Sequence, residues 1–257
     1  ALFTCRQAMT PSINDTATDT VSATGTTIVP VAIAHTPFAE KFAIPRQPAL
    51  APAATAVIEL LPPFDHPDAV NGLEGVSHIW LLFQFHQVKT EAKLKVRPPR
   101  LGGNRSVGVF ASRSTHRPNG IGQSVVKLEK VEGHRLRVSG VDLLNGTPII
   151  DIKPYVPYAD AIAGARNDIA PQAPAAIRVE WEAEARHQAE EEARRLGEAV
   201  IDLTEQCLAQ DPKPAYQNPD AGRRYGVQLW DINVTWHYPQ PDTIRVLNIS
   251  RCDIPAE

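Results

Sequence analysis

The sequence has little that would cross-link a fold covalently or hold a metal. Its 257 residues include three cysteines, Cys5, Cys207 and Cys252, which lie far apart and form no CxxC pair. This spacing indicates neither a disulfide framework nor a zinc site. We therefore expect reduced thiols, no metal and a cytoplasmic location.

Long apolar runs and a large net charge are also missing. No uncharged apolar stretch approaches the roughly 18 to 20 residues that a membrane-spanning helix needs, so we expect no membrane association. The formal net charge of −3 argues against a protein that coats nucleic acid. The argument is weak, because net charge averages over all faces of a molecule.

The sequence also lacks a dinucleotide-binding motif. Residues 120–122 read Gly-Ile-Gly, without the third glycine of a Rossmann fingerprint. No acidic residue stands at the later position that a βαβ unit would require. The sequence therefore argues against a dinucleotide site.

What the sequence does have is a dense group of cationic residues in its middle. Between Lys89 and Arg117 there are eight lysines and arginines against the single carboxylate of Glu91. Glycines and prolines interrupt this stretch, and they favour turns and close approach of the backbone to a ligand. We interpret the stretch as a set of anion-binding loops, with one short buried strand at 106–112 between them.

The first 160 residues contain many apolar runs of strand length and almost no helical period. About seven short strands separated by Gly and Pro turns predict an all-β sandwich or small barrel. Asn145-Gly146 is typical of a two-residue hairpin turn, and the continuous apolar run 79–85 predicts a strand buried on both faces. The predicted strands cover 28–34, 55–61, 79–85, 106–112, 125–131, 135–141 and 148–152.

Composition divides the chain into four parts. Residues 1–27 are rich in Thr, Ser and Ala, which predicts a disordered or weakly docked leader. Residues 28–160 form the β-domain, and the small, polar, proline-bearing stretch 161–176 is the predicted linker. Residues 177–257 predict a smaller α+β domain. Its predicted elements are a strand at 177–181, one helix at 182–210, and paired strands at 225–237 and 243–249.

Two groups of residues stand where a strand meets a polar loop. The tip Pro45-Arg46-Gln47 presents a guanidinium and an amide from a proline-stiffened loop, which suits an anion or a base edge. The alternative is a surface loop with a chance arginine. His86 and Gln87 leave a predicted core strand just before the basic loops, although a histidine in that position is more often structural.

Several longer motifs together resemble one family. In chain order they read IPRQP, GLEGVSHIWLLFQFHQ, VRPPRLGGN, VGVFASRSTHRPNGIG, VDLLNGTPIIDIKPYVPYAD, LAQDPKPAY and YGVQLWDINV. This series, within residues 28–249, resembles the TrmO (TsaA-like) family of S-adenosylmethionine-dependent tRNA methyltransferases. The resemblance implies a mainly β protein, with a compact β-barrel methyltransferase domain and a smaller α+β C-terminal domain, which acts as a homodimer.

The resemblance also implies an activity and a site. The activity is transfer of a methyl group from S-adenosylmethionine to the base N6 of threonylcarbamoyl-adenosine in the tRNA anticodon loop. The cofactor contacts carried over by motif are Pro45, Arg46, Gln47, His86, Gln87, Arg113, Gln123, Asp142, Leu143, Leu144 and Asn145. The expected RNA contacts are Arg105, His116, Arg117 and Asn119. Asp142 is the candidate catalytic carboxylate, although an aspartate in a turn is more often a backbone cap.

The chain departs from the family pattern at two positions. Gly120 stands where the family usually has proline, and Gln123 stands where an apolar residue is common. Both changes fall in the implied site and affect the rigidity of its loop.

Two other interpretations are open from the residues alone. The chain could be a non-catalytic RNA or nucleotide binding module, whose basic loops bind phosphate without a methyl-donor pocket. Alternatively, Arg97, Arg100 and Arg105 could pair with the acidic segment 182–205, across domains or subunits, and have a structural role.

Overall fold

A six-stranded barrel and a four-stranded sheet form the two halves of the protein. The structure is a computed structural model that describes residues 27–88, 92–98, 105–213 and 222–252. The barrel strands are β1 Ala32–His35, β2 Thr55–Leu60, β3 His78–Gln84, β6 Ile121–Glu132, β7 Arg135–Ser139 and β8 Thr147–Pro154. The remaining strands are β4 Lys95–Val96, β5 Val107–Gly108, β9 Arg178–Trp181, β10 Tyr225–Leu229, β11 Ile232–Gln240 and β12 Thr243–Arg251. The helices are α1 Pro67–Val70, α2 Pro157–Asp160, α3 Ala183–Leu196 and α4 Val200–Leu208. Apart from Thr27, the predicted leader lies outside the described residues.

The barrel closes in the order β1, β2, β7, β6, β3, β8, and β8 returns to pair with β1. Neighbouring strands are antiparallel. Residues alternate between inside and outside along each strand, as in β2, where Ala56, Ile58 and Leu60 are buried. The prediction of a small β-barrel is confirmed.

The burial of β3 differs from the expectation. Ile79, Leu81 and Phe83 are buried, whereas the residues between them are partly exposed. The prediction of a strand buried on both faces is therefore wrong. In a barrel only the inner face of a strand packs in the core, and the apolar outer residues of β3 pack on its surface. Trp80, for example, lies against Tyr155 with ring centroids 6.0 Å apart.

The turn at Asn145-Gly146 does not join neighbouring strands. β7 lies between β2 and β6, whereas β8 lies between β3 and β1. The predicted two-residue hairpin is therefore wrong. Residues 140–146 instead cross the end of the barrel, and the Asn145 side chain accepts a hydrogen bond from the Thr36 N–H at 3.0 Å, which ties the crossing segment to the end of β1.

The strand predicted at 106–112 is much shorter than expected. β5 pairs with β4 over two residues, and a 3-10 turn at Val109–Ala111 follows, in which Val109 is buried and Phe110 is 79% exposed. The strand stops after Gly108 because the chain turns into this 3-10 helix, whose backbone cannot continue the ladder with β4.

The C-terminal half packs α3 and α4 on a sheet of order β10, β11, β12, β9. The single helix predicted at 182–210 is in fact two helices. Gly197 adopts a φ of +69° and donates its N–H to the Ala193 carbonyl at 2.9 Å, which ends α3 as a left-handed glycine cap does. The strand predicted at 225–237 is likewise a hairpin of two strands, which turns at Trp230 with a φ of +50°.

The acidic segment of the C-terminal half finds its cations within its own domain. Arg195 pairs with Glu192 and, at 2.6 Å, with Asp231. Arg251 also pairs with Glu192, at 2.9 Å. These pairs therefore give no support to the alternative in which Arg97, Arg100 and Arg105 pair with the acidic segment 182–205. Arg100 itself lies outside the described residues.

The two halves are joined by residues 161–176, which are mostly exposed and form no helix or strand. The domain limits stay a prediction, because the core does not divide there. Buried residues of the barrel and of the C-terminal sheet belong to one continuous apolar cluster. The segment 36–54, between β1 and β2, contributes Phe38 to it, and Phe38 forms a β-bridge with Leu229 of β10.

Gly122 on β6 lies under two aromatic rings. A Cβ atom at this position would lie 2.5 Å from the Phe83 ring and 2.8 Å from the Phe85 ring. We expect Gly122→Ala to lower the free energy of unfolding by about 1–3 kcal/mol, because a methyl group would displace the rings. Chemical denaturation measures the change. Gly108→Ala is the control, since its Cβ would meet nothing within 4 Å, and equal stability of the two variants would contradict the packing argument.

Candidate active site

The strand order brings the main loops to one end of the barrel. β1 ends where β8 begins, and β3 ends where β6 begins. The segment 36–54, the chain between β3 and β6, and the crossing segment 140–146 therefore all emerge at this end. The predicted cofactor and RNA residues lie in these segments or at the start of β6, so the topology gathers residues that are distant in sequence.

The tip at Pro45-Arg46-Gln47 projects from the segment 36–54. Pro45 is buried, the Arg46 side chain is exposed, and Gln47 is half-buried at the start of the 3-10 turn Pro48–Leu50. This turn lies against the crossing segment, since a Cβ atom at Gly140 would lie 3.5 Å from the Pro48 carbonyl oxygen. The tip is thus placed beside Asp142.

Arg113 reaches the same tip from the loop before β6. Its guanidinium donates a hydrogen bond to the Gln47 side-chain oxygen, and the Gln47 amide nitrogen donates to the Arg46 carbonyl. Buried Val109 anchors the 3-10 turn that precedes Arg113, while the Arg113 side chain itself is exposed. The structure therefore brings together two of the predicted cofactor residues that are 66 positions apart.

Asp142 is a largely desolvated carboxyl on the crossing segment. Burial raises its pKa from 3.8 to about 6, against the opposing effects of a hydrogen bond from Ser124 and the positive charge of Arg113. The Ser124 hydroxyl donates to Asp142 Oδ1 at 2.6 Å. A carboxyl with a pKa this close to neutrality can take up or release a proton under ordinary conditions.

The residues after Asp142 are fastened to the end of β1. Leu143 and Leu144 are buried. The Leu143 carbonyl accepts a hydrogen bond from the Thr36 hydroxyl at 2.8 Å, and the Asn145 N–H donates to the Phe38 carbonyl at 2.8 Å. These contacts stabilise the turn itself, so any ligand contact of Leu143 and Leu144 would come through their remaining backbone groups.

His86 and Gln87 lie where β3 leaves the barrel, and both are exposed. The Gln87 carbonyl accepts a hydrogen bond from Lys41 Nζ, so this exit lies beside the segment that carries the tip.

Gly120, where the family usually has proline, accepts the Phe85 N–H on its carbonyl at 2.8 Å and adopts a φ of +58°. Proline, whose φ is close to −65°, cannot take this conformation.

The predicted RNA residues lie in the same stretch between β3 and β6, but they differ in whether their side chains are held by the loop or exposed. Arg117 folds back and donates to the Ser112 carbonyl at 2.9 Å, so it stabilises the loop. The His116 carbonyl accepts the Lys93 N–H at 3.2 Å. Arg105 and Asn119 are exposed, which leaves their side chains accessible.

Sequence reasoning placed Gln123 in the site and passed over its neighbour. Gln123 is exposed on β6, whereas Ser124 is 3% exposed and points inward to Asp142. The signal was available, because Ser124 shares a strand face with buried Val126 and Leu128, and a hydroxyl in an apolar row needs a buried partner.

Neither a metal cluster nor a membrane span is found in the part of the chain that the structure describes. There, no three His, Cys, Asp or Glu side chains are grouped as metal ligands. The helices of the same residues are all too short or too polar to cross a bilayer.

Sequence comparison relates both halves of the chain to one group of proteins. Residues 33–161 match the tRNA-methyltransferase O N-terminal domain, and residues 174–252 match the TrmO C-terminal domain. RcsF of Pseudomonas aeruginosa, named provisionally as an S-adenosylmethionine-dependent methyltransferase, is 64% identical over 227 residues, which are 88% of this chain and 98% of that protein. The tRNA (adenine(37)-N6)-methyltransferase of Escherichia coli K12 is 44% identical over 213 residues, covering 80% and 90% of the two chains.

Solved structures agree with this relation. The crystal structure of TrmO from Pseudomonas aeruginosa superimposes with a TM-score of 0.76 at 56% identity, covering 88% of this chain and 99% of that chain. A second TrmO crystal structure gives a TM-score of 0.77 at 57% identity, with coverage of 88% and 99%.

The raised pKa of Asp142 implies that the stability of the fold depends on pH. The folded state binds the carboxyl proton of Asp142 more tightly than the unfolded chain does, so ionisation of Asp142 lowers the stability of the fold. This loss of stability is complete above about pH 6 and nearly absent below about pH 3.8. We expect Asp142→Asn to be more stable than the wild type at pH 8, by up to about 3 kcal/mol. The gain should disappear near pH 4 in denaturation curves.

Asp160→Asn is the control for this experiment. Hydrogen bonds from the Val156 N–H and the Trp80 indole lower the pKa of Asp160, so its replacement should give no gain at pH 8. A pH-independent effect of Asp142→Asn would show that desolvation of the charge is not its cause.

Proposed function

Because the chain belongs to the TrmO family of tRNA methyltransferases, we propose that it methylates the base N6 of threonylcarbamoyl-adenosine beside the tRNA anticodon, with S-adenosylmethionine as the methyl donor. The observation that carries this proposal is the cluster of Gln47, Arg113, Ser124 and Asp142 at one end of the barrel. A homodimer in the cytoplasm is part of the same proposal and rests on the family resemblance.

The chemistry of the cluster fits the proposed methyl donor. S-adenosylmethionine combines a carboxylate, an ammonium group, ribose hydroxyls and a purine, and when bound it supplies a methyl group on a positively charged sulfur. Arg113 can pair with a carboxylate, and Gln47 offers an amide to a hydroxyl or base edge. Asp142 supplies a negative charge in a poorly solvated place, where attraction to a cation is strong.

Asp142 also fits the role of proton acceptor. Methylation forms a bond from N6 to carbon as the bond from sulfur to carbon breaks, and the N6 proton must leave. The carbonyl of the threonylcarbamoyl group makes this proton more acidic than that of plain adenine, so a weak base suffices. Above pH 6 the Asp142 carboxylate is ionised and can accept it, while Ser124 holds the carboxylate in one orientation.

Positively charged side chains at the same barrel end suit an anticodon loop. The Arg46 and Arg105 side chains are exposed there, and phosphates of RNA are bound chiefly by such cations. His116 and Asn119 add hydrogen-bonding groups in the loop before β6. Arg117 is half-buried and supports that loop from within.

A binding module without catalysis is the second candidate, favoured only by these exposed cations. The two candidates differ in their need for a methyl donor. Calorimetric titration with S-adenosylmethionine separates them, because a pure RNA-binding module would give no saturable heat.

We expect Arg113→Ala to lose methyl transfer by about a hundredfold or more while remaining folded, since a charge-assisted contact at the site is removed. The assay is mass spectrometry of nucleosides from tRNA that carries threonylcarbamoyl-adenosine, after incubation with protein and S-adenosylmethionine. Arg178→Ala is the control, because Arg178 is exposed on β9 in the C-terminal sheet. Wild-type turnover by Arg113→Ala would remove this residue from the site.

The rate of methyl transfer should follow the ionisation of Asp142. Because the protonated carboxyl cannot accept a proton, we expect the rate to fall about tenfold per pH unit below about pH 6 and to level off above it. Values of kcat/KM for S-adenosylmethionine between pH 5 and 8 test this, because they report the ionisation of the protein before the positively charged donor binds. Retention of the same inflection by Asp142→Asn would assign the proton acceptor to another group.

A further inference from the structure

The segment 36–54 carries the tip of the proposed site, yet much of its support comes from the C-terminal domain. It runs for 19 residues between β1 and β2, and within it the 3-10 turn Pro48–Leu50 is the one regular element. A loop of this length has a large conformational entropy and needs outside contacts to hold one geometry.

The first half of the segment lies on the hairpin of β10 and β11. The Trp230 N–H donates to the Pro37 carbonyl at 2.7 Å. The Glu40 carboxylate accepts the Gln228 N–H at 2.9 Å. The Phe42 ring stacks on Trp236 with centroids 6.0 Å apart. These contacts anchor the approach to the tip.

The second half is held by two glutamines near the end of α4. Gln210 accepts the Arg46 N–H on its side-chain oxygen at 3.1 Å, so it contacts the tip directly. Gln206, four residues earlier, accepts the Ala53 N–H at 2.9 Å. The two donors, Arg46 and Ala53, lie on either side of the Pro48–Leu50 turn in sequence, so the glutamines fix the backbone that leads into and out of it.

The orientation of the Gln210 amide is itself set by α4. Its nitrogen donates to the Gln206 carbonyl at 3.0 Å, which turns its oxygen toward Arg46. Both glutamine side chains are partly buried between the domains. The hydrogen bond to the Ala53 N–H is partly buried, so this group gains from a fixed acceptor because water reaches it less easily, whereas the bond to the Arg46 N–H is exposed.

We infer that Gln206 and Gln210 are positioning residues, through which the C-terminal domain holds the Pro45-Arg46-Gln47 tip in the geometry that binds the methyl donor. This inference rests on the proposed function. The two glutamines act through the backbone of the tip, which in turn sets the direction of the Gln47 side chain toward Arg113. Preorganisation of this kind raises affinity without a new ligand contact.

The test compares the full-length wild type with the double variant Gln206→Leu/Gln210→Leu, which keeps side-chain volume but removes both acceptors. Hydrogen exchange measures protection of the Arg46 and Ala53 amides, and calorimetry measures affinity for S-adenosylmethionine. We expect both amides to exchange faster and the affinity to fall roughly tenfold, as loss of one to two hydrogen bonds would give.

Gln188→Leu is the matched control. Gln188 is also partly buried and accepts a backbone N–H, that of Ile249, at 2.8 Å, but both groups lie inside the C-terminal domain. We expect this variant to keep wild-type affinity and wild-type exchange at Arg46 and Ala53. Gln206→Glu retains a side-chain acceptor and, combined with wild-type Gln210, should keep the protection of Ala53.

Several results would overturn the inference. One is unchanged amide protection in the double variant, and another is lost protection with unchanged affinity. A fall in affinity that Gln188→Leu reproduces would show general destabilisation instead of positioning. If the wild type itself does not bind S-adenosylmethionine, the proposed function fails, and amide exchange alone then decides whether the glutamines hold the tip.

Discussion

Pairing of β8 with both β1 and β3 is the constraint on which the site depends. It closes the barrel and removes the free edges that an open sheet would leave. It also forces the chain to cross the barrel end between β7 and β8, because these strands are not neighbours. Asp142 lies on that crossing segment, so its burial is a direct consequence of barrel closure.

Burial of Asp142 links stability to chemistry. Desolvation alone would raise its pKa further, but the Ser124 hydroxyl and the Arg113 charge counteract part of the shift. The resulting carboxyl is ionised at neutral pH and still basic enough to accept a proton. The protein tolerates the cost of this charge at the place where a methyl donor with a positive charge would compensate it.

The C-terminal domain supports the same end of the barrel. It shares one apolar core with the barrel and contacts the segment 36–54 from Pro37 to Ala53. Loops that bind ligands are often the least stable parts of a fold, because they have few buried contacts. Here the second domain supplies such contacts, and this gives the C-terminal half a physical role near the site.

The sequence by itself determined the local features of this protein. Apolar runs of strand length predicted most barrel strands, the cationic loops before β6 predicted an anion-binding region, and a series of motifs in one order indicated the family. Tertiary structure alone decided which strands are neighbours, where the predicted hairpin at Asn145 gave way to a crossing segment. It also decided which groups meet: the side chains of Gln47 and Arg113, the side chains of Ser124 and Asp142, and the Arg46 backbone N–H with the Gln210 side chain, 164 residues away. Periodicity and turn chemistry act over a few residues, whereas these contacts exist only because the barrel closes and the second domain packs against it.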